Sequence, residues 1–147
     1  MPYDQLVSQS RIKAYRAKPE EVKRLLRVAA RDLATAERNL PDDRDWAYSI
    51  AYNAVLQAAH ALMFAKGFRP RGAEQHVTMV KFVEETMGKA HATQIAIFDQ
   101  MRRKRHKIIY EMAGLVSKQE AEQGIAFAKN FVEEIRLVIS KQPSFNL

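Results

Sequence analysis

The side chains best suited to chemistry in this sequence lie between residues 102 and 110. They are Arg102, Arg103, Arg105, His106 and Tyr110. Guanidinium groups bind phosphate through paired hydrogen bonds, an imidazole titrates near neutral pH, and a phenol ring stacks on a nucleobase. This combination of residue types favours a site that holds a phosphate group beside a base.

A helix would divide these side chains between two faces. At about 100° per residue, an apolar arc is formed by Ile95, Phe98, Met101, Ile108, Ile109 and Met112. Arg105 falls in the middle of this arc, and Arg102, His106 and Tyr110 form a stripe beside it because they are four residues apart. An arginine directed at an apolar surface is costly to desolvate unless it is paired or lies at a cleft or subunit boundary.

Two interpretations of Arg105 therefore remain open. In the first, its side chain extends past the core or pairs with a carboxylate from Asp32, Asp45 or Asp99. In the second, it lies at a cleft between subunits and binds an anion there. Its neighbours Arg102, Arg103 and His106 favour the second interpretation, because they supply further groups that bind phosphate.

Helix signals predict the elements that would position these residues. Pro19 suits a first helical turn, an aspartate at 42, 43 or 45 can cap a second helix, and Ser117 with Glu120 forms a capping box. The predicted helices cover residues 19–40, about 43–66, 74–87 and 90–113, and a fifth begins at 117. No segment shows the two-residue alternation of a strand. We therefore expect an all-α fold, an up-and-down bundle of four long helices plus one shorter helix.

Length and composition predict one domain with one core. The chain has 147 residues, of which 47% are hydrophobic. Residues 1–18 are expected to form a leader with a short helix near 4–14, residues 19–141 the bundle, and residues 142–147 a frayed tail. The uncharged stretch 46–65 contains polar residues, so a buried helix explains it better than a membrane span.

The absence of cysteine excludes disulfides and thiolate metal sites. It suits a reducing compartment, and the polar N-terminus does not match a signal peptide, so we expect a cytoplasmic protein. Three histidines on different helices lack metal-site spacing: His60, His76 and His91. We expect no metal and no cofactor, a buried His60, and solvent exposure rather than ligand contact for His76.

The charge balance points to polyanions as partners. The net charge is +7 and the isoelectric point is near 9.8, which favours association with nucleic acid. A second basic cluster occupies the connection before the shorter helix and consists of Lys66, Arg69 and Arg71. This cluster is either an ordinary solvated connection or an extension of an RNA-binding surface.

The chain resembles the HEPN superfamily, small helical-bundle domains found in prokaryotic toxin–antitoxin and nucleotidyltransferase-linked systems. The resemblance rests on MRRKRHKIIYE at residues 101–111, on SIAYNAVLQAAHALMFAKGFRP at 49–70, on the shorter helix with His76 and on the final helix. It spans most of residues 19–141. It implies a homodimer in which the helices that carry the first string pair across the interface.

The family motif is an arginine, usually followed by a polar residue, and then, after four to six intervening residues, a histidine. Arg105 takes the arginine position and His106 the polar position, whereas Tyr110 stands where the histidine would be. Tyrosine, with an ordinary pKa of about 10, is a poor general base near neutral pH. The alternative pair of Arg102 and His106 is one residue shorter than the family spacing.

The resemblance implies two alternative functions. In one, the chain is a metal-independent ribonuclease toxin in which the ribose 2′-hydroxyl attacks its own phosphate. The bond from phosphorus to the leaving oxygen of the next nucleotide breaks, and His106 either takes the hydroxyl proton or protonates that leaving oxygen. Arg102 and Arg105 stabilise the developing charge, and Tyr110 positions the substrate. A nucleotidyltransferase-type antitoxin would be its protein partner. In the other, the chain is a non-catalytic dimeric module that binds nucleotides or proteins and whose motif has degenerated.

The long second helix offers further candidates for substrate binding. The resemblance implies that this helix packs against the motif helix, so polar groups on it are able to line a shared pocket. The candidates are Tyr48, Tyr52 and Asn53, with Arg103 added from the motif helix. Ordinary buried tyrosines whose hydroxyls reach the surface or a carbonyl explain Tyr48 and Tyr52 at least as well. A third hypothesis is that the chain is a purely structural bundle, which predicts neither RNA binding nor RNA cleavage.

Overall fold

The computed structural model describes residues 2–145, and about 74% of these residues are helical. The elements in chain order are α1 (Asp4–Ser8), β1 (Ile12–Ala14), α2 (Pro19–Asn39), α3 (Arg44–Ala65), β2 (Phe68–Pro70), α4 (Gln75–Met87), a 3₁₀ turn (Lys89–His91), α5 (Ala92–Tyr110) and α6 (Lys118–Ser140). The all-α fold class with four long helices and one shorter helix is confirmed.

Local capping chemistry explains where the long helices begin. The Asp43 carboxylate accepts the backbone N–H of Trp46 at the start of α3. At the start of α6, Ser117 and Glu120 form the predicted capping box, in which each side chain accepts the other residue's backbone N–H. The predicted starts of these two helices are confirmed to within about a residue.

Helix α3 is the centre of the core. It packs most extensively against α2 and α6, and it also contacts α4 and α5. Small side chains on several of its faces are fully buried, among them Ala51, Ala54, Ala58 and Ala61. Within residues 2–145, no helix has both the length and the apolar character that crossing a bilayer requires. The interior position of α3 explains why the stretch 46–65 carries no charge.

The N-terminal leader is part of the fold, and the prediction that the chain contains no strand was wrong. The short helix α1 ends at Ser8, and β1 then pairs antiparallel with β2, with Ile12 opposite Pro70 and Ala14 opposite Phe68. Leu6 and Ile12 are buried in the core. Strands of three residues are too short to show an alternating pattern, which is why the sequence did not predict them.

The tail was predicted to fray, yet its described part is attached to the core. The Gln142 side-chain amide donates to the Ala65 carbonyl at 3.1 Å, and Phe145 is only 6% exposed. Asn146 and Leu147 lie outside the described residues. Burial of the apolar Phe145 side chain is favourable, which explains why this part of the tail packs against the core and does not fray.

Helix α5 is buried along its first half only. Ile95, Phe98 and Met101 are buried as the predicted apolar arc requires, whereas Ile109 is 43% and Met112 60% exposed. The helix also ends at Tyr110, three residues before the predicted end. The loop that follows is held to the start of α3, because the Asp45 carboxylate accepts the backbone N–H groups of Gly114 and Val116.

Candidate functional site

The Arg105 side chain lies against the buried Tyr52 and has no carboxylate partner among residues 2–145. Within the part of the chain that the structure describes, no carboxylate oxygen lies within 4.0 Å of its guanidinium group. Its guanidinium carbon instead lies 5.7 Å from the centroid of the Tyr52 ring. The three carboxylates considered as partners are engaged elsewhere: Asp32 by Asn53 and Arg31, Asp45 by backbone amides, and Asp99 by Arg102 and Arg103.

Tyr52 and His76 complete the surroundings of Arg105. Tyr52 on α3 is fully buried, and its hydroxyl lies 2.9 Å from Nδ1 of His76 in the first turn of α4. Burial raises the pKa of Tyr52 far above its ordinary value, although Arg105 and Arg102 oppose the shift. Burial, together with Arg105 and Arg102, lowers the pKa of His76. Both side chains are therefore neutral near pH 7.

The buried Tyr52 hydroxyl proton has no other acceptor within residues 2–145, and this sets the direction of the hydrogen bond. The Tyr52 hydroxyl keeps its proton and donates it to Nδ1 of His76, so Nε2 of the neutral imidazole carries the remaining proton. His76 then presents a donor and not a base on its outer side. We call the group Tyr52, His76, Arg102 and Arg105 the arginine cleft. Once the Tyr52 hydroxyl has bonded Nδ1 of His76, the groups left to bind a ligand are the two guanidinium groups and Nε2–H of His76, which are all donors and suit an anion.

Asp99 orients the two other arginines of α5. Its two carboxylate oxygens lie 2.9 Å from Nε of Arg102 and 3.0 Å from a terminal nitrogen of Arg103. The Arg102 side chain is 23% exposed and the Arg103 side chain 70%. All three residues line a groove of about 710 Å³ between α4 and α5, with Val80 and Ile95 also among its lining residues. The groove therefore shares Arg102 with the arginine cleft.

His106 and Tyr110 lie on the solvent side of α5. Both are exposed, and their ring centroids are 4.7 Å apart. Adjacent helical positions differ by about 100°, so the direction that brings Arg105 over Tyr52 carries His106 outwards. A single chain thus brings Arg102 and Arg105 together but does not bring His106 or Tyr110 to the arginine cleft.

Of the three candidates on α3, only Tyr52 reaches the arginine cleft. Tyr48 packs against α6, so closely that a Cβ atom added at Gly124 would lie 3.1 Å from its ring. Burial raises the pKa of Tyr48 to about 12. Asn53 faces α2, and its side-chain amide donates to Asp32 at 2.8 Å. His76 was expected to be exposed, but it is half-buried against Tyr52.

The histidines do not assemble a metal site with the acidic residues. Between residues 2 and 145, no group of three or more histidine, aspartate or glutamate side chains could hold a metal ion. His91 lies 3.7 Å from Glu134, and His60 packs edge-on against Phe64. The first contact links the 3₁₀ turn to α6 and the second lies within α3, and neither includes a residue of the arginine cleft.

The comparison with protein families gives one match. The model of the HEPN domain family matches residues 22–138, from the first turn of α2 to the end of α6. All four residues of the arginine cleft and the stretch 102–110 fall inside the matched region. A search of curated proteins finds no significant match.

Proposed function

Since the chain belongs to the HEPN domain family, a module related to nucleotides and RNA, we propose that it binds RNA or a nucleotide through the arginine cleft. The observation that carries this proposal is the position of Arg105, a half-buried cation with no carboxylate partner among residues 2–145. A phosphate oxygen would supply the missing negative charge.

The neighbouring groups fit such a ligand. Arg102 is bonded by Asp99, and Nε2 of the neutral His76 carries a proton, so both α5 and α4 contribute donors near Arg105. Hydrogen bonds between guanidinium and phosphate groups are among the strong ones because both partners are charged. The groove between α4 and α5 offers room for the rest of a nucleotide beside Arg102.

The test is an RNA-binding assay with two arginine variants of equal charge. Arg105→Gln removes the cation that has no carboxylate partner within residues 2–145. Arg38→Gln removes an exposed arginine from α2 whose side chain donates to Thr35 and to no other described residue. A hydrogen bond to a charged group is worth roughly 1.5–3 kcal/mol, so Arg105→Gln should weaken binding by about tenfold to a hundredfold. Arg38→Gln should change the affinity by less than about twofold. Equal losses of RNA affinity in the two variants would show that RNA binds by general charge attraction and not through Arg105.

A homodimer is the second part of the proposal. The end of α5 exposes Ile109, Tyr110 and Met112, and Trp46 at the start of α3 is 52% exposed. Large exposed apolar side chains suit an interface, and the family resemblance suggests a second copy of the chain as the partner. Light scattering should give a dimer at micromolar concentration for the native chain and a monomer for Ile109→Glu. A native monomer would contradict this arrangement.

Metal-independent RNA cleavage is a candidate activity of that dimer. Pairing of two α5 helices would bring the exposed His106 and Tyr110 of each protomer to the shared interface, where the His106 imidazole is the candidate group for proton transfer. The expected result is cleavage of structured RNA in EDTA that His106→Ala abolishes. RNA binding without cleavage would instead support the non-catalytic module, and a nucleotidyltransferase-type antitoxin remains the proposed partner of the toxin form.

A further inference from the structure

The two-stranded ribbon of β1 and β2 has one apolar face and one basic face. Ile12 and Phe68 pack against the core, whereas Lys13 and Arg69 are exposed and stand directly opposite each other in the antiparallel register. Further exposed or half-exposed cations continue from the strand ends. We call the whole set the basic ribbon: Lys13, Arg16, Lys66, Arg69 and Arg71.

The pairing of like charges in the basic ribbon is unfavourable for the isolated domain. Residues directly opposite in an antiparallel pair have Cβ atoms about 4.5–5.5 Å apart, and like charges at such positions destabilise the sheet. In the described part of the chain, none of these five cations has a carboxylate oxygen within 4.0 Å. Elsewhere, exposed cations such as Arg27 and Arg136 pair with glutamates.

Arg69 is also held in a fixed position. Its guanidinium carbon lies 5.2 Å from the centre of the Tyr15 ring, the distance of a cation–π contact. The Tyr15 hydroxyl donates to Glu21 at 2.7 Å, and its backbone N–H donates to Gly67. Glu21, the carboxylate nearest this contact, is occupied by that hydroxyl and by the Lys18 backbone N–H. An arginine fixed in this way loses less entropy when it binds a ligand.

We propose that the basic ribbon is a second binding site, which takes phosphates of an RNA strand that extends beyond the arginine cleft. This inference rests on the proposed function of the arginine cleft. Arg71 is five residues before His76 in the chain, so their backbones are at most about 18 Å apart. At about 3.4 Å per phosphate along a helical strand, that distance corresponds to roughly five nucleotides. One strand of modest length therefore reaches both sites.

The experiment compares a long RNA with a short one. Fluorescence anisotropy is measured with a labelled oligo(A) of about 20 nucleotides and with a labelled dinucleotide, at about 50 to 200 mM salt. The ribbon variant is Lys13→Gln with Arg69→Gln, and the control of equal charge is Arg38→Gln with Lys141→Gln. A second ribbon variant, Lys13→Gln with Arg71→Gln, leaves the contact between Arg69 and Tyr15 intact.

Both ribbon variants should bind the long RNA about tenfold more weakly than the control pair. Their salt dependence should be shallower by about 1.4 in the logarithmic slope, or 0.7 for each lost phosphate contact on a single strand. Dinucleotide binding should not change, because it needs only the arginine cleft. The melting temperature of either variant should be unchanged or higher, since an opposed positive charge has been removed.

The outcomes separate the two sites. If the ribbon variants bind the long RNA like the control while Arg105→Gln binds it weakly, the basic ribbon is not an RNA site. The proposed function of the arginine cleft then still holds. If Arg105→Gln keeps its affinity and the ribbon variants lose theirs, RNA binds the ribbon and the proposed function of the arginine cleft fails. If the native chain binds neither probe, both fail.

Discussion

Asn53→Ala should lower the free energy of unfolding by about 2 kcal/mol without weakening RNA binding. The Asn53 amide donates to Oδ2 of Asp32 at 2.8 Å, and the Asp32 side chain is only 8% exposed. The other carboxylate oxygen is bonded by Arg31, whose side chain is 69% exposed. Removing the amide leaves one oxygen of a buried carboxylate without a partner, and hydrogen bonds to charged groups contribute roughly 1.5–3 kcal/mol.

Urea and thermal denaturation measure this loss. For a domain of this size, about 2 kcal/mol corresponds to a fall in the melting temperature of roughly 4–8 °C. Gln57→Ala is the matched control, since Gln57 is half-buried one turn further along α3 and makes no side-chain hydrogen bond within residues 2–145. Gln57→Ala should lower the free energy of unfolding by less than about 0.5–1 kcal/mol. In an Asp32→Ala background, the cost of Asn53→Ala should shrink by about 1 kcal/mol or more.

The opposite pattern would refute the reasoning. If Asn53→Ala were as stable as Gln57→Ala and bound RNA more weakly, Asn53 would act at the ligand pocket, as the resemblance first implied. Equal costs of Asn53→Ala with and without Asp32 would show that the buried hydrogen bond is not the cause of any loss.

Three further predictions concern the core and the histidines. Tyr52→Phe should lower the free energy of unfolding by about 1 kcal/mol in urea, because Nδ1 of His76 loses its donor; unchanged stability would contradict that bond. Burial lowers the pKa of His60 and His76, so below about pH 6.5 the unfolded chain binds more protons and stability is lost as the pH falls. The melting temperature should drop between about pH 7.5 and 5, and it should drop less steeply in a variant with glutamine at both positions. Equal pH dependence in the two proteins would exclude these histidines as the cause of the drop. Gly124→Val should lower the free energy of unfolding by about 1–3 kcal/mol because its side chain would crowd the buried Tyr48 ring, whereas Ala126→Val at an exposed position of the same helix should cost under about 1 kcal/mol. Helix propensity alone favours valine over glycine, so unchanged or higher stability of Gly124→Val would contradict the crowding.

The helices were predictable because their signals are local. Pro19 begins α2 as predicted, and the Ser117 capping box begins α6. The inward direction of Arg105 was predictable for the same reason, since it follows from helical geometry and the apolar residues around it. The early end of α5 at Tyr110 was not, because it depends on the loop that Asp45 holds from another helix.

The partners of the site residues could not be predicted from local signals. The hydrogen bond between Tyr52 and His76 depends on how α3 and α4 cross, and nothing near either residue in the sequence encodes that crossing. The direction of Asn53 towards α2 has the same origin. The cations of the basic ribbon that follow α3 were recognised in the sequence as a cluster. The strand register that places Lys13 opposite Arg69 could not be predicted, because it joins distant segments of the chain.

The pairing of β1 with β2 also sets an order of events during folding. It joins residue 12 to residue 70, and α2 and α3 lie between them. The long intervening chain makes closure entropically costly until α2 and α3 have packed and brought its ends together. Three-residue strands with opposed charges should also open most easily, so their amide hydrogens should exchange sooner than those of α3. The face that we assign to RNA is thus the last part of the domain to form and the first to loosen.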